Sequence, residues 1–386
     1  DTPISELGFT GAALGASATG VRVVADLMFA DFLFEAGGQI ALQAAKLRYM
    51  SNGQMAAPMV IRVGAGTVRS TGPHHSGTYH PVWAHIPGLI VAMPSNPADA
   101  KGLMKTALRA GDPVILLEPK ALFATSGPVP EGEHFVPFGV ARIARPGRDL
   151  TIAAAGQMVR RALDAADALA AEGIEAEVID LRTIMPLDVD AVAESVKRTH
   201  HLLVVDEGWS AFGVGAELGQ SVMELAFDWL DAPVARLHTG PVTHPFGPAL
   251  ERAMLVGAEQ IAAAARELLQ GRVREPARWR GGVNAPRPIS ATPERQAPPG
   301  PPAQTPRLEG EPVTMPFGDL TVDSGKLVRW VREDGARVKQ GELVAEVETD
   351  KALVEIEAPA AGVLRHLVTA AGSRVKMGEA IGAVRA

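Results

Sequence analysis

Three short stretches of this chain carry side chains whose types and spacing could do chemistry. The first is Asp1-Thr2-Pro3-Ile4-Ser5-Glu6-Leu7-Gly8-Phe9, which sets one carboxylate in a mostly apolar context ahead of the small-residue run Gly11-Ala12-Ala13-Leu14-Gly15-Ala16. Glycine and alanine at that density let a helix approach another surface or a bound ring closely. Glu6 also suits a plainer role, that of a first-turn acid complementing the positive end of its own helix. The second stretch is Gly72-Pro73-His74-His75-Ser76-Gly77-Thr78-Tyr79-His80, with His85 shortly after. Four histidines in a Gly/Pro-rich segment invite a metal centre, but no carboxylate stands at a helical ligand spacing such as HExxH. Imidazoles titrate near neutral pH and serve as readily as general acids and bases. The third stretch is Val347-Glu348-Thr349-Asp350-Lys351-Ala352. A lysine after Thr-Asp at a turn is, by itself, an ordinary solvated residue.

What lifts Lys351 out of the ordinary is a near-repeat on either side of it. Gly325 to Val347 reads GKLVRWVREDGARVKQGELVAEV, Gly362 to Val384 reads GVLRHLVTAAGSRVKMGEAIGAV, and the offset is 362 − 325 = 37. Gly335/Gly372, Arg337/Arg374, Val338/Val375, Lys339/Lys376, Gly341/Gly378 and Glu342/Glu379 match across it. Two copies are too few for a solenoid, which needs at least about three repeats to bury a continuous core. The copies must therefore pack on each other as a pseudo-two-fold sandwich, with Lys351 at a hairpin between them.

The elements that would position the other two stretches are alternating strands and helices. Val21–Leu27, Met59–Val63, Leu89–Met93 and Pro113–Leu117 read as buried strands, and Asp31–Met50 and Asn96–Ala110 as helices. Asn96 is placed to cap the second helix, with Pro97 at its first position. Such alternation predicts a largely parallel sheet covered on both faces, and the histidine segment then falls beyond a strand end, where open α/β sheets place their sites. The pattern restarts with a strand at Leu150–Ala154, a helix at Gln157–Ala171, strands at Glu177–Leu181 and Leu202–Val205, and helices at Val214–Trp229 and Ala258–Leu269. Nothing in it resembles a GxxxxGK[ST] phosphate loop. From Gly271 to about Glu311 the pattern vanishes into Pro286, Pro288, Pro293, Pro298, Pro299, Pro301, Pro302 and Pro306 with scattered Arg and Gly. That is a linker, and at about 3.1 Å per residue its roughly 35 residues could span up to about 100 Å.

At 386 residues the chain accommodates two or three domains, and 47% hydrophobic residues mark most of it as globular. A net charge of −7 and a pI near 5.9 give no broad basic field, which argues against nucleic acid as a partner. The absence of cysteine rules out disulfides and thiolate metal sites and suits a reducing cytoplasm. No apolar run reaches the roughly 20 residues of a membrane span. The chain begins at Asp1, inside a motif, so further sequence upstream is expected.

Two resemblances follow from these motifs. Residues 312–386, with Met315-Pro316 at their start and ETDKA around Lys351, resemble a lipoyl (biotinyl-like) carrier domain, which implies a small all-β sandwich with lipoate attached to Lys351. Asp350 and Ala352 stand where a biotin carrier more often has methionines. DTPISELGFTG, the segment Leu27–Met50 ending AAKLRYMS, the HHS loop, AHIPGL, and ADAKGLMKTALRAGDPVILLEPK resemble the beta subunit of the thiamine-diphosphate-dependent decarboxylase component of 2-oxo acid dehydrogenase complexes. EVIDLRTIMPLD, VVDEGW and FGVGAEL extend the resemblance to about residue 270.

The resemblance implies two doubly wound, transketolase-like α/β domains, at 1–145 (pyrimidine-binding) and 146–271, followed by the linker at 272–311 and the carrier at 312–386. Position by position it places on Glu6 the carboxyl that hydrogen-bonds the aminopyrimidine ring of thiamine diphosphate, on Phe32 the aromatic residue against that ring, and on His75 the histidine that faces substrate. Glu6 must hold or share a proton at neutral pH for that role, which apolar surroundings favour. The GDG…N metal-diphosphate motif is absent, so the resemblance implies that a separate alpha subunit, or an alpha half upstream in a longer polypeptide, supplies the magnesium site, and no metal ligand is assigned here. Implied partners are that alpha subunit, a second beta chain, and the acyltransferase and dihydrolipoyl dehydrogenase components of a multienzyme complex. Some positions depart from the pattern: His74 stands where many relatives have Gln, Gly38 precedes Gln39 in place of Asp, Arg109-Ala110-Gly111-Asp112-Pro113 puts a potassium site in doubt, and Thr239–Phe246 replaces a Gly-Ala-Asp run. The implied reaction is oxidative decarboxylation of a branched-chain 2-oxo acid or pyruvate with reductive acylation of the lipoyl group. The LEPK segment leans towards branched-chain relatives. An acetoin-cleaving or transketolase-like thiamine enzyme, and a non-catalytic body that delivers a lipoyl arm, are the alternatives.

Overall fold

The computed structural model describes residues 1–273, 310–315, 324–348, 353–376 and 378–385. Most of the expected linker, and Lys351 with its neighbours Thr349, Asp350 and Ala352, lie outside the described residues. The chain forms two compact units, Asp1–Asn284 and Ala285–Ala386.

In the first unit, β1 (Val23–Phe29), β2 (Met59–Ala65), β3 (Ile90–Ala92) and β4 (Val114–Pro119) form a parallel sheet in the order β1-β2-β4-β3. The near-continuous apolar runs account for this, because a strand covered on both faces has no side to give to water. Met59, Val60, Ile61 and Val63 are all at most 1% exposed. The helix Pro97–Ala107 starts as its sequence requires, with the Asn96 side chain accepting from the Asp99 N–H at 2.9 Å. Asp31–Met50 departs from the expected single helix. It breaks into a 3-10 turn at Ala30–Leu33, a π-helix at Gly38–Ala44 and a last α turn at Leu47–Met50. Gly37-Gly38 supplies the reason, since two adjacent glycines cost about 2 kcal/mol of helix propensity.

A second sheet follows. β5 (Arg142–Arg145), β6 (Leu150–Ala154), β7 (Ala176–Asp180), β8 (Thr183–Met185), β9 (Leu202–Trp209) and β10 (Ala235–Thr239) succeed one another along the chain. Five of them build the sheet β10-β9-β6-β7-β5, parallel except for the edge strand β5. β8 leaves it and pairs antiparallel with β3 of the first sheet, Val91 opposite Met185. The two α/β layers thus share a sheet, and they share a core that runs from Leu27, Ile61 and Ile115 to Ile179, Val204 and Leu218. Arg182, next to β8, reaches back to Asp99 at 2.8 Å, a pair 15% and 3% exposed. Helices at Val189–Thr199 and Pro248–Met254 were not foreseen from the sequence pattern.

The second unit is all β. β11 (Glu311–Thr314), β12 (Ser324–Trp330), β13 (Arg337–Val338), β14 (Leu343–Glu348), β15 (Leu353–Glu357), β16 (Gly362–His366), β17 (Arg374–Lys376) and β18 (Ala380–Arg385) make two four-stranded sheets, β11-β18-β16-β13 and β15-β14-β12-β17. The 37-residue offset carries β12 to β16, β14 to β18 and β13 to β17, so one sheet is the image of the other. The same offset relates the core residues Leu327 and Leu364, both 0% exposed. It also relates the turn glycines, Gly335 and Gly372 at φ +87° and +89°, and Gly341 and Gly378 at +80° and +81°. Left-handed backbone explains why glycine recurs at these places. β14 and β15 pair with Glu348 opposite Leu353, flanking the four residues around Lys351. Among the described residues no helix is long and apolar enough to cross a membrane.

Candidate active site

Because β1, β2 and β4 are parallel, their carboxyl ends lie along one edge of the first sheet, where such sheets bind ligands. β1 delivers Phe29 and runs straight into Asp31 and Phe32, β2 leads into the loop that carries His74 and His75, and β4 ends at Pro119 with Lys120 next. Phe29, Phe32 and His75 meet there edge to face. The His75 ring centroid is 4.7 Å from that of Phe29 and 5.4 Å from that of Phe32, with interplanar angles of 88° and 89°. The two phenylalanines are 6.0 Å apart. Edge-to-face contact favours a fixed ring orientation, and all three rings stay half-buried, so part of each is accessible.

Under this cluster lies Lys120, 8% exposed. Its ammonium donates to the His75 carbonyl oxygen and lies 5.0 Å from the Phe29 ring centroid. Gly64 makes room for its stem, since a Cβ there would stand 3.0 Å from Lys120 Cγ. Burial pushes the Lys120 ammonium below the ordinary lysine range, while Asp31, Glu207 and Glu251 act in the opposite direction. Asp31 in turn accepts from the Gly77 N–H and the Tyr79 hydroxyl, both at 3.2 Å. Burial, with Asp31 alongside, raises the Tyr79 phenol to about 12, so it stays protonated as a donor.

The second sheet closes over the same edge. Glu207, on β9, accepts from the Thr67 N–H at 2.8 Å, and burial pushes its carboxyl upward. Gly66 permits this approach, with φ at +82° and no Cβ, which would fall 2.7 Å from the Glu207 oxygens. On the loop after β10, Phe246 packs on Gly72, and His244 is 3% exposed with its ring 5.4 Å from Trp209. Burial lowers the His244 imidazole, and its Nε2 has no hydrogen-bond partner among the described residues. One residue earlier than Glu207, Asp206 binds His80 at 3.1 Å with side-chain exposures of 9% and 1%. Burial opposes charge on both, yet their mutual attraction prevails: His80 is raised and Asp206 falls to about 2.

The structure therefore brings Phe32 and His75 into one cluster. Glu6 opens the helix Glu6–Ala18, half-buried, and its carboxyl has no hydrogen bond or ion pair among the described residues. That helix packs on β1 and on the π-helix, where Gly11 leaves the space that the Gln39 side chain fills. Lys351 lies outside the described residues. The four histidines do not form one group: His74 and His85 are exposed, and His80 is spent on Asp206. Among the described residues no set of three His, Asp or Glu side chains could hold a metal ion. In the segment where a potassium site was in doubt, Arg22 donates to the carbonyls of Leu108 and Ala110, and Arg48 to the Gly111 carbonyl and the Asp112 carboxylate. Reading the sequence missed Phe29, Asp31, Tyr79, Lys120, Glu207 and His244. A usable signal existed for Lys120, a charged residue set directly after the buried strand Val114–Pro119.

Residues 1–125 match the family described as transketolase, pyrimidine binding domain, and residues 139–261 that described as transketolase, C-terminal domain. Residues 311–384 match a biotin/lipoyl family described as biotin-requiring enzyme. Over 271 residues the chain is 46% identical to an acetoin:2,6-dichlorophenolindophenol oxidoreductase subunit beta of Cupriavidus necator, covering 70% of this chain and 80% of that protein. It is 43% identical over 268 residues to a pyruvate dehydrogenase E1 component subunit beta of Rickettsia felis, covering 69% and 82%. A solved split-gene transketolase, an inactive beta4 tetramer, shares the fold with a TM-score of 0.57 at 24% identity over 70% of this chain and 83% of that one.

Proposed function

Since the chain belongs to the transketolase-like beta-subunit family of 2-oxo acid and acetoin dehydrogenases, and carries a biotin/lipoyl-type domain at 311–384, we propose that it works with an alpha subunit to decarboxylate a 2-oxo acid oxidatively. The observation that carries this reading is the Phe29–Phe32–His75 cluster at the carboxyl edge of a parallel sheet, within a match to a pyrimidine-binding domain.

The residues present suit the ring end of thiamine diphosphate. Half-exposed aromatic faces at Phe29 and Phe32 offer apolar contact, and the Glu6 carboxyl is unengaged by this chain's own groups. On this reading the diphosphate end, with its magnesium, is held by the alpha subunit. Thiamine diphosphate, when bound, supplies the electron sink that lets a 2-oxo acid lose carbon dioxide. With it bound, Glu6 would hold a proton towards the pyrimidine ring, Phe32 would offer its face to that ring, and His75 would move a proton at the reacting carbonyl. Lys351 would be the attachment point for lipoate, whose disulfide would supply both the acyl acceptor and the two-electron oxidant. Tethering raises the local concentration of this acceptor, to the millimolar range when geometry allows. The beta chain pairs with a second copy, and the acyltransferase and dihydrolipoyl dehydrogenase components complete the cycle.

Glu6→Gln, co-expressed with an alpha partner, should abolish 2-oxo acid-dependent reduction of a dichlorophenol dye. Unchanged activity would leave the chain as a docking body for a carrier arm. Intact mass in a host able to lipoylate should show the lipoyl increment on the parent chain and none on Lys351→Ala. A second reading has support in the 46% identity to an acetoin oxidoreductase beta subunit. Dye reduction with acetoin but with no 2-oxo acid would select it.

A further inference from the structure

We propose that Lys120 is a positioning residue of this site: it fixes the His75 segment and the aromatic shelf beneath it. The proposal rests on the reading of His75 given above. Two contacts reach His75 from this one ammonium. It donates directly to the His75 carbonyl oxygen, and it lies 5.0 Å from the Phe29 ring whose edge-to-face partner, at 4.7 Å, is the His75 ring itself. A displacement of Lys120 would therefore move the backbone and the imidazole together.

Acidic groups face the ammonium from both α/β layers. Asp31 faces it from the first sheet, and Glu207 and Glu251 from the second layer. Asp31 also holds the far end of the histidine loop through Gly77 and Tyr79, and Glu207 holds its near end through Thr67. The loop is thus gripped at three places, by Lys120 at His75, by Asp31 at Gly77 and Tyr79, and by Glu207 at Thr67. A neutral side chain of equal volume would fill the space opened by Gly64 but could not donate to the His75 carbonyl oxygen. Truncating one member of such a network disturbs the rest, because its bonds polarise one another.

The test is a double-mutant cycle on the complete alpha–beta complex with the dye-coupled assay, joined to hydrogen exchange on the chain. A misplacement of about 1 Å costs on the order of 100-fold in rate. Lys120→Met should lower kcat about 100-fold with KM altered less than about threefold, and Lys120→Arg should restore part of the loss by keeping the cation. In a His75→Ala background the Lys120→Met change should have almost no further effect, because the two residues act as one unit. Amide exchange over residues 66–80 should quicken in Lys120→Met while β6 and β9 keep their protection. Additive losses, or an unaltered kcat, overturn the proposal, as does a kcat loss that only tracks the folded fraction. Where Lys120→Met fails to fold, the cycle with Lys120→Arg decides between the same outcomes. A wild-type complex inert towards 2-oxo acids and acetoin would remove the reading of the site, and unchanged exchange over 66–80 would separately remove Lys120 from its frame.

Discussion

Asp206→Asn should destabilise the α/β unit by an amount that depends on pH in a sense opposite to simple acid denaturation of a salt bridge. In the parent chain Asp206 and His80 lie 3.1 Å apart with 9% and 1% side-chain exposure, too deep for solvent to screen them. Asp206 also accepts from the Gly208 N–H at 3.1 Å, and His238 stands 3.9 Å away, held below its usual value by burial. Glu207 is the other acidic neighbour. For His80, raised in the folded state, the pair's contribution is complete below the unfolded histidine value and fades as pH rises through the folded one. For Asp206, depressed to about 2, the contribution is present above the unfolded carboxylate value and fades as pH falls through about 2. The window of greatest stabilisation is therefore roughly pH 4 to 6.5. With Asn at 206, burial dominates and His80 folds neutral. Parent and variant then differ by native-state proton uptake at His80, so the variant's deficit grows as pH is lowered, by at most about 1.4 kcal/mol per pH unit, the limit for one proton. At pH 7 the cost is about 3 kcal/mol, the lower end for breaking a buried pair. Urea unfolding at pH 5, 6 and 7 gives the difference directly. A deficit that stays constant across that range would refute the assignment of a proton to His80.

Gly341→Ala and Gly378→Ala, at φ +80° and +81°, should each destabilise the carrier unit by about 1–2 kcal/mol, read as a lower thermal midpoint, since an L side chain is strained there. Equal losses are expected because the positions are images under the internal repeat, and a neutral result at either would contradict the symmetry. Leu327→Ala and Leu364→Ala remove equivalent, fully buried side chains and should cost about 2–5 kcal/mol each by urea unfolding of that unit. Asn96→Ala removes the cap on the Pro97–Ala107 helix and should cost about 1 kcal/mol, with faster exchange of the Asp99 amide as its local signature.

Much of this protein is legible along the chain, for reasons that are local. Buried parallel strands appear as unbroken apolar runs, and a helix start as Asn-Pro. The carrier's two-fold appears as a constant spacing of 37 that recurs in its glycines and its core. The family resemblance adds Glu6, Phe32 and His75, a list that motif order alone can deliver. Contacts between distant segments are another matter. Nothing local marks β8 as a strand that leaves its own sheet to pair with β3, because three residues that satisfy an edge look the same whichever sheet they join. The break of Asp31–Met50 into 3-10, π and α turns was signalled by Gly37-Gly38, but its course depends on the packing of Gln39 into the gap at Gly11.

The same division runs through the site. Sequence alone set the chemical kinds of residue present and the order of the elements that carry them. The third dimension decided which of those residues meet. Four neighbouring histidines look alike in a row, yet His80 is drawn into a buried pair with Asp206, 126 residues away, while His75 is held among Phe29, Phe32 and Lys120. Charge and burial act through space and fall off with distance, so a histidine's role is set by the groups that folding places within a few ångströms of it, and those groups come from every part of the α/β unit.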